Sequence, residues 1–560
     1  MRLARLAPPL TLAVLLGPLA FGLAGTLLPA FGYLPELGGR HFTTLHFSAL
    51  DAVPGIYRSA CLSVLVGLVT TLVALGAVAA FVASDLGTPL FSRVRRMISP
   101  LLSVPHAAAA FGLAFLIAPS GMIMRLISPW PTGLDRPPDL LIVNDPMALS
   151  MMAGLIVKEI PFLFLVTLAA LPQTRHPEIM RLGRSLGYGR VAAFLILLWP
   201  SLYRQIRLAV FAVVAYATSV VDVALILGPQ LPPTLPVRLI EWMNDPQLET
   251  RFIASAGAVM QLGVTLVALI AWVGLERIGA ALVAIVRDRG RRLRRDGVAR
   301  AASRALMLSS ALAVFGGIAM LALWSVSGLW QFPDALPSGF TFRSWMQALP
   351  RMSGPLLTTL TVATLSTLIA LVLTILCLER EYETGRGRGR DALLLIYLPL
   401  IVPQISFMFG LQVLSIWLGV DASFPALVLA HLVFVLPYVF LSLSDPWRAH
   451  DRRHDLIAAG LGMSRARTLI RIRLPMLTRA ILTAAAVGFS VSVGQYLPTV
   501  LIGAGRLTTV TTEAVALAAG GNRRVIGVYA FMQTLLPFLA FAIATGLPGL
   551  LFRNRRGLRV

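Results

Sequence analysis

Charge is what this sequence has least of: 13% of its 560 residues are Asp, Glu, Lys or Arg. Soluble domains carry about 25%. A surface that poor in charge meets something other than water, which excludes an ordinary soluble enzyme. Lysine occurs once, at Lys158, preceded by Val157. The Gly-Lys-Ser/Thr core of a phosphate-binding loop therefore has no place in the chain. No stretch is large and polar enough for a nucleotide-binding domain. Cysteine occurs twice, at Cys61 and Cys377, both in apolar runs, so neither a disulfide framework nor a cysteine metal site is expected. The seven histidines lack metal-ligand spacing, and no Ser/His/Asp set stands out. No catalytic residue, metal or cofactor is expected.

What is abundant is hydrophobic sequence, 57% of the chain. A spanning helix needs about 20 apolar residues, and twelve windows supply them. They lie near 6–30, 59–83, 97–118, 146–170, 206–228 and 252–275, then 306–330, 356–378, 392–418, 424–443, 480–503 and 526–550. The first run, from Leu6 to about Leu28, carries no charge and exceeds the 7–15 residues of a signal-peptide core. The expected class is an all-α polytopic membrane protein in the lipid bilayer.

The net charge of +23 is not that of a nucleic-acid binder. The arginines fall in short clusters between apolar runs, which is a topology signal. With the N-terminus inside, 36 arginines fall on the inner side and 11 on the outer. Both termini are therefore expected in the cytoplasm. The stretch 276–305, with Arg291 to Arg295 at its centre, reads as a basic cytoplasmic linker between halves at 1–275 and 306–560.

Those halves repeat. Val104-Pro105, five residues, then Phe111-Gly112-Leu113 recurs as Val402-Pro403, five residues, then Phe409-Gly410-Leu411. Pro161-Phe162-Leu163-Phe164-Leu165 recurs as Pro437-Tyr438-Val439-Phe440-Leu441. After each fourth helix a glycine is followed thirteen residues later by a proline: Gly187 with Pro200, Gly462 with Pro475. Six helices per half make the repeats parallel, related by an axis along the membrane normal. A pathway then falls at their interface.

The loops bearing those glycines read as a short helix, a glycine turn and a second helix entering the membrane at proline. They resemble the Glu-Ala-Ala-x3-Gly-x9-Ile-x-Leu-Pro signature of binding-protein-dependent ABC importer permeases. Ile472-Arg473-Leu474-Pro475 matches its end, and Leu197-Leu198-Trp199-Pro200 keeps the spacing. The signature's opening glutamate is replaced by Arg181 and Leu456, with Glu178 and Asp455 nearby but out of register. The resemblance implies the type I importer permease fold. It also implies coupling helices near 178–189 and 454–464, with Glu178, Arg181, Gly183, Gly187 and Pro200, then Asp455, Leu456, Ala458, Gly462 and Pro475, in the loops that dock on an ATPase. The implied partners are two copies of a cytoplasmic ABC ATPase and a periplasmic solute-binding protein, at the bacterial inner membrane. Solute would cross by alternating access, with ATP hydrolysed in the partner. The fused two-half layout, Ser492 to Gly503 and Lys158-Glu159-Ile160-Pro161-Phe162 resemble the iron(III) and thiamine type, most of all its thiamine-type subgroup.

Charges at bilayer depth are costly and face the protein interior or water. Lys158 and Glu159 sit about 12 residues from the inner end of their helix, roughly 18 Å deep. Asp222, in the next helix, is the expected partner of Lys158. His106 and Gln404 follow the equivalent prolines, and Gln495 lies in the eleventh helix. These six are the pathway candidates for a small solute; the alternative is a structural role, as a charge cluster that fixes helix packing or as interhelical hydrogen bonds. The competing reading is a secondary transporter driven by an ion gradient, which would centre on Lys158, Glu159 and Asp222 but gives no reason for twin loops.

Overall fold

The computed structural model describes residues 2–290, 292, 294, 296–385 and 390–551. The described chain is helical, with two isolated β-bridges and no strand. Ten helices are long and apolar enough to span a bilayer, and two bent pairs bring the number to twelve. The fold is the two-half, type I permease arrangement that the sequence suggests.

Proline sets the bends. Ala392–Ile401 and Gln404–Trp417 meet at 85°. Pro403 lacks a backbone N–H and disfavours a helical Val402, so the span breaks there. In the first half, Val104 and Pro105 are extended between a 3-10 turn, Ser99–Ser103, and the helix His106–Ile117. The continuous helices expected at 97–118 and 392–418 are therefore broken ones.

The fifth helix of each half is interrupted too. Trp199–Ser219 ends at an extended Val220, and Asp222–Leu227 starts a new short helix. Thr478–Val493 ends before Gly494, and Leu497–Gly503 restarts. The expected runs 206–228 and 480–503 thus unwind at positions 275 residues apart.

Two helices run well past their apolar windows. Thr250–Asp288 has 39 residues and Arg343–Thr384 has 42. At 1.5 Å per residue they exceed a hydrocarbon layer of about 30 Å. Their polar ends, beyond 275 and 378, stand where the short-helix loops emerge.

The first helix of each half packs on the other half. Arg5–Ala30 lies on Gln404–Trp417, and Gly297–Ser325 lies on His106–Ile117. Glycines permit both crossings. A Cβ on Gly112 would fall 2.7 Å from Gly317 Cα, and one on Gly25 would fall 2.7 Å from the Gly410 carbonyl oxygen. Small residues at such contacts let backbones approach, which drives helix association in lipid. The Gly410 amide also donates to Thr26 Oγ1 at 3.1 Å.

Candidate functional site: twin loops and a central cavity

Six crossings separate the two glycine-bearing loops, so they emerge at the same end of the bundle. They share one design. The first runs through a helix His176–Ser185, Gly187 at φ +80°, a helical turn Arg190–Ala193, a π turn Phe194–Leu198, and Trp199–Ser219. The second runs through Arg453–Gly460, Gly462 at φ +74°, Arg465–Thr468, a π turn Leu469–Arg473, and Leu474–Met476. The left-handed φ explains both glycines. Pro200 and Pro475 each occupy the opening of the re-entering helix.

The faces of the short helices correspond as well. Gly183 and Ala458, 275 residues apart, are buried. A Cβ on Gly183 would fall 2.6 Å from Ala193 Cβ. Glu178, Arg181 and Leu456 are exposed. Each loop also exposes an apolar pair four residues apart: Leu182 with Leu186, and Ile457 with Leu461. Residues at that spacing share one helix face.

The second loop is anchored by a residue not singled out from sequence. Arg473, buried in the π turn, donates to Asp455 Oδ2 at 2.8 Å and pairs with Glu379. Its guanidinium lies 4.0 Å from the Tyr382 ring centroid, and the Tyr382 hydroxyl donates to Asp455 at 2.6 Å. Arg448 holds Glu381 through two bonds of 2.8 Å. Asp455 is thus an anchor of the loop rather than a free surface charge. Glu379, Glu381 and Tyr382 lie past the expected helix end at 378, so hydropathy could not find them. Arg473 stands at the variable position of Ile-x-Leu-Pro. His450 beside this network is held below its ordinary pKa by burial, against the opposing pull of Asp455.

The first loop is braced differently. Arg207 pairs with Glu276 at 2.6 Å, and Tyr203 donates to the same carboxylate at 2.5 Å. Described linker residues lie across the loop. The Gly189 amide donates to the Arg292 carbonyl at 3.2 Å, and the Val191 amide to Asp296 Oδ2 at 3.3 Å. Arg304 pairs with the fully buried Asp85 at 2.8 Å.

Between the halves lies a cavity of about 210 Å³. All six pathway candidates line it: His106, Lys158, Glu159, Asp222, Gln404 and Gln495. The breaks in the spans put them there, since His106 and Gln404 follow the proline bends and Asp222 and Gln495 sit at the unwound fifth helices. The expected Lys158–Asp222 pair does not form. Lys158 Nζ instead donates to the carbonyls of Leu101 at 3.1 Å and Leu102 at 3.0 Å. The Leu101 carbonyl also accepts from the Val104 amide at 3.3 Å, while at the Leu102 carbonyl Pro105, three residues on, has no N–H to offer. Glu159 is 3.1 Å from His106 Nε2. The sequence did not single out the cavity tyrosines Tyr216, Tyr438 and Tyr496. Tyr438, beside the repeated Pro437, and Tyr496, inside the stretch Ser492 to Gly503, lie in segments that carried a signal.

Parallel helical halves with twin loops at one end and a cavity between them define a duplicated membrane permease. Comparison with known proteins specifies the class. Residues 386–554 match the family described as the binding-protein-dependent transport system inner membrane component. The chain is 33% identical to the inner membrane ABC transporter permease protein YnjC of Escherichia coli, over 92% of each. It is 30% identical to the spermidine/putrescine transport system permease protein PotC of Haemophilus influenzae, over 23% of this chain and 49% of PotC.

The chain belongs to the family of binding-protein-dependent ABC transporter permeases. It is a multi-pass membrane subunit that forms a solute pathway by alternating access, while ATP is hydrolysed in a partner subunit. This displaces the ion-driven alternative.

Proposed function

We propose that His176–Ser185 and Arg453–Gly460 are the two coupling helices, each seating in one of two identical ATPase subunits. The observation that carries this is the repeated surface. At one offset of 275 residues, both loops place a left-handed glycine after a short helix exposing two apolar side chains. Apolar side chains clustered on one exposed helix face suit burial against a partner, and here they recur at equivalent positions of both loops. Glu178 and Arg181 would add charge contacts at the first interface, and Leu456 apolar area at the second.

In this reading a periplasmic binding protein delivers a small solute to the opposite end of the bundle. ATP-driven closure of the ATPases pushes both loops, and the halves rock about the cavity. The halves are 1–275 and 306–560, both termini are cytoplasmic, and the linker lies along the first loop. The inner-side excess of arginine supports that orientation. The subtype is the iron(III)/thiamine one, supported by the stretch Ser492 to Gly503.

The test is purification in mild detergent with the cognate ATPase co-expressed. Leu182→Asp with Leu186→Asp, or Ile457→Asp with Leu461→Asp, is expected to abolish co-purification while the permease stays folded. Undiminished co-purification of both variants would refute the assignment.

A further inference from the structure

The cavity is not symmetric. Its charged residues, His106, Lys158, Glu159 and Asp222, all come from the first half. At the repeat offsets of 298, 276 and 275 the second half has Gln404, Phe434, Val435 and Leu497 instead. Whatever charge selectivity the pathway has is therefore set by one half.

The formal balance is one ammonium against two carboxylates. Lys158 is turned to two backbone carbonyls, and Glu159 to His106. Asp222, 7% exposed, has no basic group within ion-pair distance among the described residues. A carboxylate so placed has lost much of its hydration and stays ionised only when a cation neutralises it. The rings of Tyr216, Tyr438 and Tyr496 line the same space, and aromatic faces attract cations whose charge sits on an apolar body. Among the described residues no three His, Cys, Asp or Glu groups converge to hold a metal ion. The volume, about 210 Å³, is below the roughly 300 Å³ at which ordinary ligand pockets begin, so the occupant is compact.

We propose that the cavity selects a compact organic monocation, its charge against Asp222 and its apolar body against the tyrosine rings. This rests on the cavity being the solute pathway.

Choline serves as the probe, with dimethylbutanol as its neutral carbon isostere and sodium chloride as the ionic-strength control. The full-length permease in mild detergent is unfolded thermally with each. Choline is expected to raise Tm, whereas the isostere and the salt are not. Asp222→Asn is expected to weaken the apparent choline affinity by about tenfold, the usual worth of a charge-assisted contact. Asp222→Glu, which keeps the charge, and Asp139→Asn, at an exposed loop site, are expected to retain it. No choline shift, an equal shift with the isostere, or equal binding by Asp222→Asn would overturn the proposal. A complex that co-purifies with its ATPase and hydrolyses ATP yet shows none of this selectivity fails this inference alone. Loss of co-purification in the unaltered protein fails the coupling reading instead.

Discussion

Lys158 shows how a buried charge is satisfied without a counter-ion. Its two carbonyl acceptors belong to the turn that precedes Pro105; Leu101 has the Val104 amide as a second donor, and Leu102 depends on the lysine. Lys158→Met is expected to lower stability by about 1–3 kcal/mol, the cost of leaving the Leu102 carbonyl without its donor. Combined with Asp222→Asn, the effects should add, with a coupling below about 0.5 kcal/mol. Thermal unfolding of the four proteins measures this, and a large coupling would restore the ion pair. That a charge lay at mid-depth was legible, because one lysine interrupts an apolar run. Its partner was not, because sequence does not carry the azimuth of one helix relative to another. His450 supplies a second check. Its folded pKa lies below 6.5, so the unfolded chain binds the proton first and stability falls as pH drops through that value. His450→Gln should lose less stability than the parent between neutral and mildly acidic pH.

At the scale of elements, the breaks matter more than the helices. The prolines at 105 and 403 were visible, but window hydropathy averages across a bend and reported continuous spans. The unwinding at Val220 and Gln495 left no signal in an apolar stretch. The twin loops were legible because glycine and proline at fixed spacing carry backbone meaning. Gly187→Ala and Gly462→Ala force a Cβ into left-handed backbone, at about 1–2 kcal/mol each. Both should reduce co-purification with the ATPase more than they reduce permease Tm. An effect on Tm alone would make the glycines merely structural.

Across the whole molecule, the halves are interlocked by exchanged first helices and by a linker bonded to the first loop. The glycine crossings at Gly112–Gly317 and Gly25–Gly410 tie that exchange together. Gly410→Leu should drive the first helix off its seat. We expect a loss of stability larger than the same substitution gives at Gly76, where nothing lies within 4 Å. Equal loss at both sites would argue against the crossing.

If both loops couple to the partner ATPases, they move together when those subunits close. With Cys61 and Cys377 replaced by serine, spin labels at Arg184 and Ala459, equivalent exposed positions of the two loops, report the loop-to-loop distance in the assembled complex. We expect a shorter distance when ATP is trapped than without nucleotide, and loss of that change when either apolar pair is replaced by aspartate. One unchanged distance in both states would contradict it.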